Sequence, residues 1–440
     1  MHRVNGTAAP PSTARGTRRD PSPLISMATR PGIFPTFFLS GFECSTFLWK
    51  DGRRRDLVDE TQHREHALED YRLLRQLGIG VAREGIPWPL VARQSGFDFH
   101  WIEPMIAACR ETKIVPLWDL CHYGYPDGLD PFSPDFCRRF EQYCEAAARY
   151  VSTHLPGPYY FTPINEITFF AFCGGEWGWV APYCKSRQER EALREALCLA
   201  AIRGVKAIRA VLPDSRMVHV DPLVQVIAPA DRPDLADEAA HETHVDTFRA
   251  WDILYGKEKP EMGGAPDILD IVGANNYSFG QMEYREQGPH KALEPGHPGI
   301  EPLCFLPHRI WERYKRPMII GETSGMSKGR PEWLRDVMQE SLAAVNRGMD
   351  LHGVCLFPAV DMPDWHTGEW LHNGIADLVP IDGRLTRVPY QPYVDELRRW
   401  QKELNRVTSL DDDPYSDPVE LQEVIDAARR LRPRPDANWH

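Results

Sequence analysis

The sequence predicts a single-domain (β/α)8 TIM barrel, and three observations predict it. Short apolar β-type runs alternate with long amphipathic segments, eight of each, from Phe37 to Asn405. Several of the runs are almost continuously apolar, as strands covered on both faces are. No glycine-rich dinucleotide turn accompanies the alternation, which favours a closed barrel over a doubly wound sheet. In chain order the strands are predicted at Phe37–Gly41, Gly80–Trp88, Ile114–Leu120, Tyr159–Ile167, Met217–Leu223, Ile271–Ser278, Pro317–Gly321 and Gly353–Val360. The helices are predicted at His63–Leu77, Trp101–Thr112, Pro134–Leu155, Gln188–Leu212, Leu235–Tyr255, Leu303–Tyr314, Glu332–Arg347 and Pro392–Asn405. Their apolar residues recur at steps of three and four, as Tyr71, Leu74 and Leu77 do.

Residues 31–408 are thus assigned to the barrel domain. Residues 1–30 are rich in Arg, Pro, Ser and Thr, lack the apolar stretch of a secretory signal, and read as a disordered extension. Residues 409–440 open on Asp411-Asp412-Asp413-Pro414 and read as a tail with one short charged helix.

A chain of 440 residues with 42% hydrophobic content can bury a large core. Its formal charge of −12 offers no general basic surface, which argues against nucleic-acid and anionic-membrane partners and favours a neutral or cationic small molecule. No run approaches the length of a membrane span. The ten cysteines are scattered through apolar segments without a CxxC pair, so they read as small core residues of a reduced, cytoplasmic protein. Oligomeric state is not legible.

In such barrels the working residues sit at the C-terminal ends of strands. Glu166 and Glu322 are placed at the ends of the fourth and seventh runs, and two carboxylates are what cleavage of a glycosidic bond requires. One, as an acid, protonates the departing oxygen; the other meets the oxocarbenium-like carbon. Carboxyls about 5 Å apart would make the second a nucleophile and retain the anomeric configuration, whereas about 6.5–9.5 Å would leave room for water and invert it.

The order and wording of the motifs resemble glycoside hydrolase family 1, the β-glucosidase and β-galactosidase family of the retaining clan A, from about Phe37 to Asp377. Thr162-Pro163-Ile164-Asn165-Glu166 resembles the family's T-x-N-E-P segment, and Ile319-Ile320-Gly321-Glu322-Thr323-Ser324-Gly325 its I-T-E-N-G segment. The resemblance implies Glu166 as acid/base, Glu322 as nucleophile and Asn165 as binder of the 2-hydroxyl. The segment Gly78 to Trp88 is similar to G-V-x-x-Y-R-F-S-I-S-W, which implies that Arg83 keeps the nucleophile ionised. Leu120 to Pro126 parallels L-Y-H-W-D-L-P and casts His122 as a donor to a sugar hydroxyl. Gly273 to Tyr277 parallels G-I-N-Y-Y and makes Tyr277 a hydroxyl partner of Glu322. The eighth-strand segment implies substrate-binding roles for Asp364 and Trp365. No cofactor and no metal are implied.

The departures fall where a sugar is read. Leu48 stands where the family has a glutamine, Phe357 where it has a tryptophan, and Asp364 where it has a glutamate. Such a site is expected to bind plain glucose or galactose poorly, since a lost partner for a buried polar group is costly. Trp177, Trp179 and Trp370 read as core aromatics or loop anchors, with Trp177 or Trp179 the alternative as a further cleft wall. His63, His66, His241 and His244 have helical three-residue spacing, but no cysteine or acidic pattern makes them a zinc site. Ser45 and Ser324 lack the G-x-S-x-G context of a nucleophilic serine. The expected activity is retaining hydrolysis of a β-linked glycoside; the alternatives are a transglycosidase acting on a specialised metabolite and a non-catalytic sugar-binding barrel.

Overall fold

A computed structural model describes residues 32–409. The assignments made for residues 1–30 and for nearly all of 409–440 lie outside the described residues. Eight parallel strands close into a barrel in sequence order. They are β1 (Phe38–Gly41), β2 (Val81–Gly85), β3 (Val115–Asp119), β4 (Tyr160–Thr162), β5 (Arg216–Pro222), β6 (Ile271–Asn276), β7 (Met318–Thr323) and β8 (Leu351–Leu356), and β8 pairs back onto β1. All eight expected runs overlap a barrel strand; five contain theirs whole, while β5 and β8 begin before the expected run and β7 ends after it. The fold class is a single-domain (β/α)8 barrel.

The two-residue period of the strands divides the core into two. Leu39, Val81, Leu117, Tyr160, Val218, Ile271, Ile319 and Cys355 meet inside the barrel, while their neighbours Phe38, Ala82, Trp118, Met217, Val272, Ile320 and Val354 pack outward under the helices. Those helices are α1 (His63–Gln76), α2 (Glu103–Thr112), α3 (Pro134–His154), α4 (Arg187–Val211), α5 (Ala236–His244), α6 (Arg249–Tyr255), α7 (Leu306–Tyr314), α8 (Arg330–Asn346) and α9 (Gln391–Ser409). All ten cysteines are free, and nine of them are buried. Among the described residues no helix is long and apolar enough to cross a membrane.

The differences from expectation have local causes. The second run stops at Gly85 because Trp88–Val91 turns helical between Pro87 and Pro89. The fourth stops at Thr162, since Pro163 has no N–H to continue the ladder. The expected helix Leu235–Tyr255 is broken into α5 and α6 at Val245–Phe248, where the Asp246 carboxylate accepts from the buried Arg190 guanidinium at 3.0 Å. Three small β elements were not foreseen: the hairpins Thr46–Leu48 with Arg54–Asp56 and Ala376–Ile381 with Arg384–Pro389, and a sheet of Gln225–Ile227, Gln281–Glu283 and Lys291–Ala292.

Candidate active site

The inward-facing rows of the strands continue past the apolar plug into polar residues. Two positions beyond Val81 and Leu117 the same face carries Arg83 and Asp119, and the Arg83 guanidinium donates to Asp119 Oδ2 at 2.6 Å. Its Nη2 also donates to Asn165 Oδ1 at 2.8 Å, and its Nη1 donates to Glu322 Oε1. Gly41 makes room for it: a Cβ there would lie 2.7 Å from Arg83 Cβ and from the Phe357 ring. Arg83 is 1% exposed, so its charge is held by these partners rather than by water.

Glu322 reaches the same place by a different route. Strict alternation along β7 would set it on the face of Ile320, toward the helices. The register slips between Ile320 and Glu322 against β6, and between Ile320 and Thr323 against β8. A bulge of this kind re-aims a side chain, and the carboxylate turns into the barrel mouth. There Glu322 Oε2 accepts from the Tyr277 hydroxyl at 2.9 Å while Oε1 takes the Arg83 guanidinium.

Glu166 lies four residues beyond β4 with a left-handed backbone, φ 43° and ψ 61°, as the cap of the short helix Ile167–Ala171. Its N–H donates to Val220 O at 3.1 Å. Two residues on, Thr168 donates its N–H to Asp221 Oδ1 at 3.0 Å and its hydroxyl to Asp221 Oδ2 at 2.7 Å, which fixes the turn. The Glu166 carboxylate accepts from Asn275 Nδ2 at 2.8 Å and from the Tyr123 hydroxyl. Burial and then the nearby Glu322 charge push its pKa up to about 8, against the pull of those two donors. Asn165 Nδ2 donates to the Tyr123 hydroxyl at 3.0 Å and lies 3.3 Å from His122 Nε2. One continuous network therefore joins Glu166, Tyr123, Asn165, Arg83 and Glu322.

His122 donates from Nδ1 to Asp119 Oδ2 at 3.0 Å and is stacked against Phe357 with ring centroids 6.2 Å apart. Trp365 packs on Tyr123 at 4.9 Å and on Phe47 at 4.7 Å. Beyond it Phe169, Trp177 and Trp179 continue the aromatic wall. Asp364 is the exception among the sequence-derived residues. Its Oδ1 accepts from the N–H groups of His366 and Thr367 at 2.8 and 2.7 Å, so this oxygen caps its own turn and is not joined to the glutamate network.

Four residues of the site were passed over in the sequence. Asp119 is a carboxylate at a strand end, the signal that singled out Glu166 and Glu322. Tyr123 and Asn275 lie inside motifs already quoted, but a phenol and an amide carry no chemistry by themselves. Glu43 follows β1 at the mouth, where sequence alignment draws attention to Leu48; Leu48 instead lies in the Thr46–Leu48 hairpin strand. Cys44, Asp119 and His122 stand close enough to bind a metal in principle. However, Asp119 is already held by Arg83, and burial pushes the Cys44 thiol up to about 12, which does not favour a thiolate ligand.

No protein-family model matches the chain, and no curated protein sequence matches it. Solved structures do. A β-glucosidase from Thermotoga maritima in complex with a methoxycarbonyl-substituted glucoimidazole aligns over 84% of this chain and 99% of its own, with TM-score 0.66 and 16% identity. A hyperthermophilic β-glucosidase aligns over 83% and 100%, with TM-score 0.65 and 15% identity. The AHE enzyme from Alicyclobacillus herbarius aligns over 85% and 100%, with TM-score 0.64 and 17% identity. At these identities the likeness is one of fold.

Proposed function

We propose that this barrel is a retaining glycoside hydrolase acting on β-linked glycosides, with Glu166 as acid/base and Glu322 as nucleophile. The observation that carries the reading is the contrast between two carboxylates sharing one barrel mouth. Glu166 accepts from neutral donors, is buried, and has a pKa pushed up to about 8, so it holds a proton at neutral pH. Glu322 instead takes the Arg83 guanidinium on Oε1 and the Tyr277 hydroxyl on Oε2, which aim its carboxylate. A carboxyl that keeps its proton beside one held by a guanidinium divides acid and nucleophile work between the two. The fold likeness to β-glucosidases supports the same reading.

In this mechanism Glu166 gives its proton to the glycosidic oxygen as Glu322 attacks the anomeric carbon, and the aglycone departs. Glu166, now a carboxylate, then takes a proton from water, which attacks the glycosyl ester on Glu322 and releases the sugar with its configuration retained. Tyr277 and Arg83 aim the nucleophile. Asn165 meets the 2-hydroxyl, His122 a further hydroxyl, and Trp365 offers an aromatic face to the pyranose ring. Asp364 enters only through Oδ2, since Oδ1 holds the turn. The free, mostly buried thiols support a reducing, cytoplasmic setting.

The test is turnover of activated aryl β-glycosides by wild type, Glu166→Ala and Glu322→Ala with added azide. The expected products are a β-glycosyl azide from Glu166→Ala and an α-glycosyl azide from Glu322→Ala. Absence of wild-type turnover over a broad panel, with sugar binding intact, would instead support a non-catalytic sugar-binding barrel.

A further inference from the structure

Glu43 is a third glutamate at this mouth, and the mechanism above does not use it. It comes two residues after β1, in a stretch whose side chains alternate. Gly41 faces Arg83 and Phe357 inside the barrel. Phe42 faces outward, stacked on His63 of α1 at 3.7 Å between ring centroids. Glu43 faces inward again, 5% exposed, with Oε1 3.8 Å from His122 Nε2. It thus stands beside His122 at the edge of the network that holds the two other glutamates.

The allocation of hydrogen bonds around it is uneven. Arg83 gives its guanidinium to Glu322, Asp119 and Asn165, and His122 gives Nδ1 to Asp119. Glu43 Oε1 receives only the N–H of Ser45, at 3.0 Å, and the Ser45 hydroxyl. Among the described residues no lysine or arginine pairs with it, and His122 at 3.8 Å is its one basic neighbour within ion-pair distance. Arg83 is thus committed to Asp119, Asn165 and Glu322, and His122 gives Nδ1 to Asp119 while its Nε2 stays 3.8 Å from Glu43, so among the described residues the only hydrogen bonds to the buried Glu43 carboxylate come from the two neutral donors of Ser45. Such a charge is costly unless a cation meets it.

We propose that Glu43 reads the glycone and that the site takes a β-glycoside of an amino sugar, with the ammonium group meeting Glu43. This deepens the glycosidase reading and rests on it for the orientation of the sugar. With Asn165 at the 2-hydroxyl and His122 beyond it, Glu43 faces carbon 3 or carbon 4. A hydroxyl there also donates to the carboxylate but leaves its charge unmatched, and an anionic glycone is repelled. Glutamine at position 43 keeps an oxygen for Ser45, so the turn survives the substitution while the charge is removed.

The experiment is calorimetric titration at pH 6.5 of wild type and Glu43→Gln with glucose, 3-amino-3-deoxyglucose, 4-amino-4-deoxyglucose and glucose 6-phosphate, with turnover of the corresponding 4-nitrophenyl β-glycosides in parallel. At least one amino sugar is expected to bind wild type about tenfold or more tighter than glucose, as a charge pair in a desolvated site allows. In Glu43→Gln that preference is expected to vanish, the amino sugars then binding no more tightly than glucose does to the same variant. Wild type showing no preference for either amino sugar, or Glu43→Gln keeping it, overturns the proposal, and the first arm needs no variant. A preference that depends on Glu43 without turnover of any aryl glycoside would sustain the proposal and remove the hydrolase reading. Turnover in which charge at position 43 is immaterial would do the reverse.

Discussion

Among single residues, Tyr123 couples the two halves of the proposed chemistry. Its hydroxyl donates to Glu166 and accepts from Asn165 Nδ2, which is itself tied to Arg83 through Oδ1. The bond it gives Glu166 favours the ionised carboxylate, so it restrains the rise in pKa that burial and Glu322 impose. Activity that needs Glu166 protonated should be lost as pH rises through about 8 in wild type. In Tyr123→Phe that basic limb is expected to move to higher pH, while kcat/KM at the optimum falls by about 10- to 100-fold from the loosened network. A pH–rate profile of the two proteins checks both; a basic limb that moves downward contradicts the assignment of Glu166 as the acid.

The elements show how far the sequence could be read. The alternation of runs located all eight barrel strands, because each strand is apolar on both faces and each helix carries a stripe. Turns that depend on one backbone group were not legible in that pattern. Glu166 does not end a strand but caps a helix in left-handed geometry, stabilised by Asp221 of the neighbouring strand β5. The Glu322 direction depends on a bulge that composition does not reveal. Two substitutions test these devices. At Gly321, beside the bulge, a Cβ would meet Asn275 Oδ1 at 2.5 Å and Val220 Cγ1 at 2.9 Å. Gly321→Ala is therefore expected to displace the amide that donates to Glu166, lowering kcat about 10-fold or more and stability by about 1–3 kcal/mol, the usual cost of overpacking. Parallel kinetics and chemical denaturation would detect both losses. Asp221→Asn leaves only one acceptor oxygen for the two Thr168 donors, and a kcat loss of about 10-fold with a smaller change in KM is expected if the cap serves to aim Glu166. Loss of substrate affinity alone would assign Asp221 to binding instead.

For the whole molecule, three buried groups of the site and the scaffold, His63, Glu166 and Asp221, make stability fall as pH rises. Behind β2, where Glu84 faces outward, His63 of α1 is fully buried between Asp70 at 2.7 Å and Glu84 at 2.9 Å, and Arg387 from the hairpin Arg384–Pro389 closes on Asp70 at 2.7 Å. This chain ties the C-terminal hairpin to the first helix and to the strand that carries Arg83. Burial opposes the charge on His63, but Glu84 and Asp70 raise its pKa from 6.5 to about 9. The stabilisation it brings is complete below pH 6.5 and is lost as pH rises through 9. Glu166 and Asp221 act with the same sign for another reason. Burial raises them from 4.5 to about 8 and from 3.8 to about 7, so each folded carboxyl keeps a proton that the unfolded chain has given up. Between those limits the folded state binds more protons, and its stability falls with rising pH. His219, lowered by burial from 6.5 to about 4, acts oppositely only below pH 6.5, so the melting temperature of wild type is expected to decline between about pH 6.5 and pH 9. Glu166→Gln removes one share of that decline: it should melt close to wild type near pH 4.5 and above it by about 2 °C or more at pH 8. Scanning calorimetry across this range separates the contributions. A Glu166→Gln curve parallel to wild type from pH 4.5 to 8 would mean that Glu166 ionises at its ordinary pKa in the folded protein, and it would then be a poor proton donor at neutral pH.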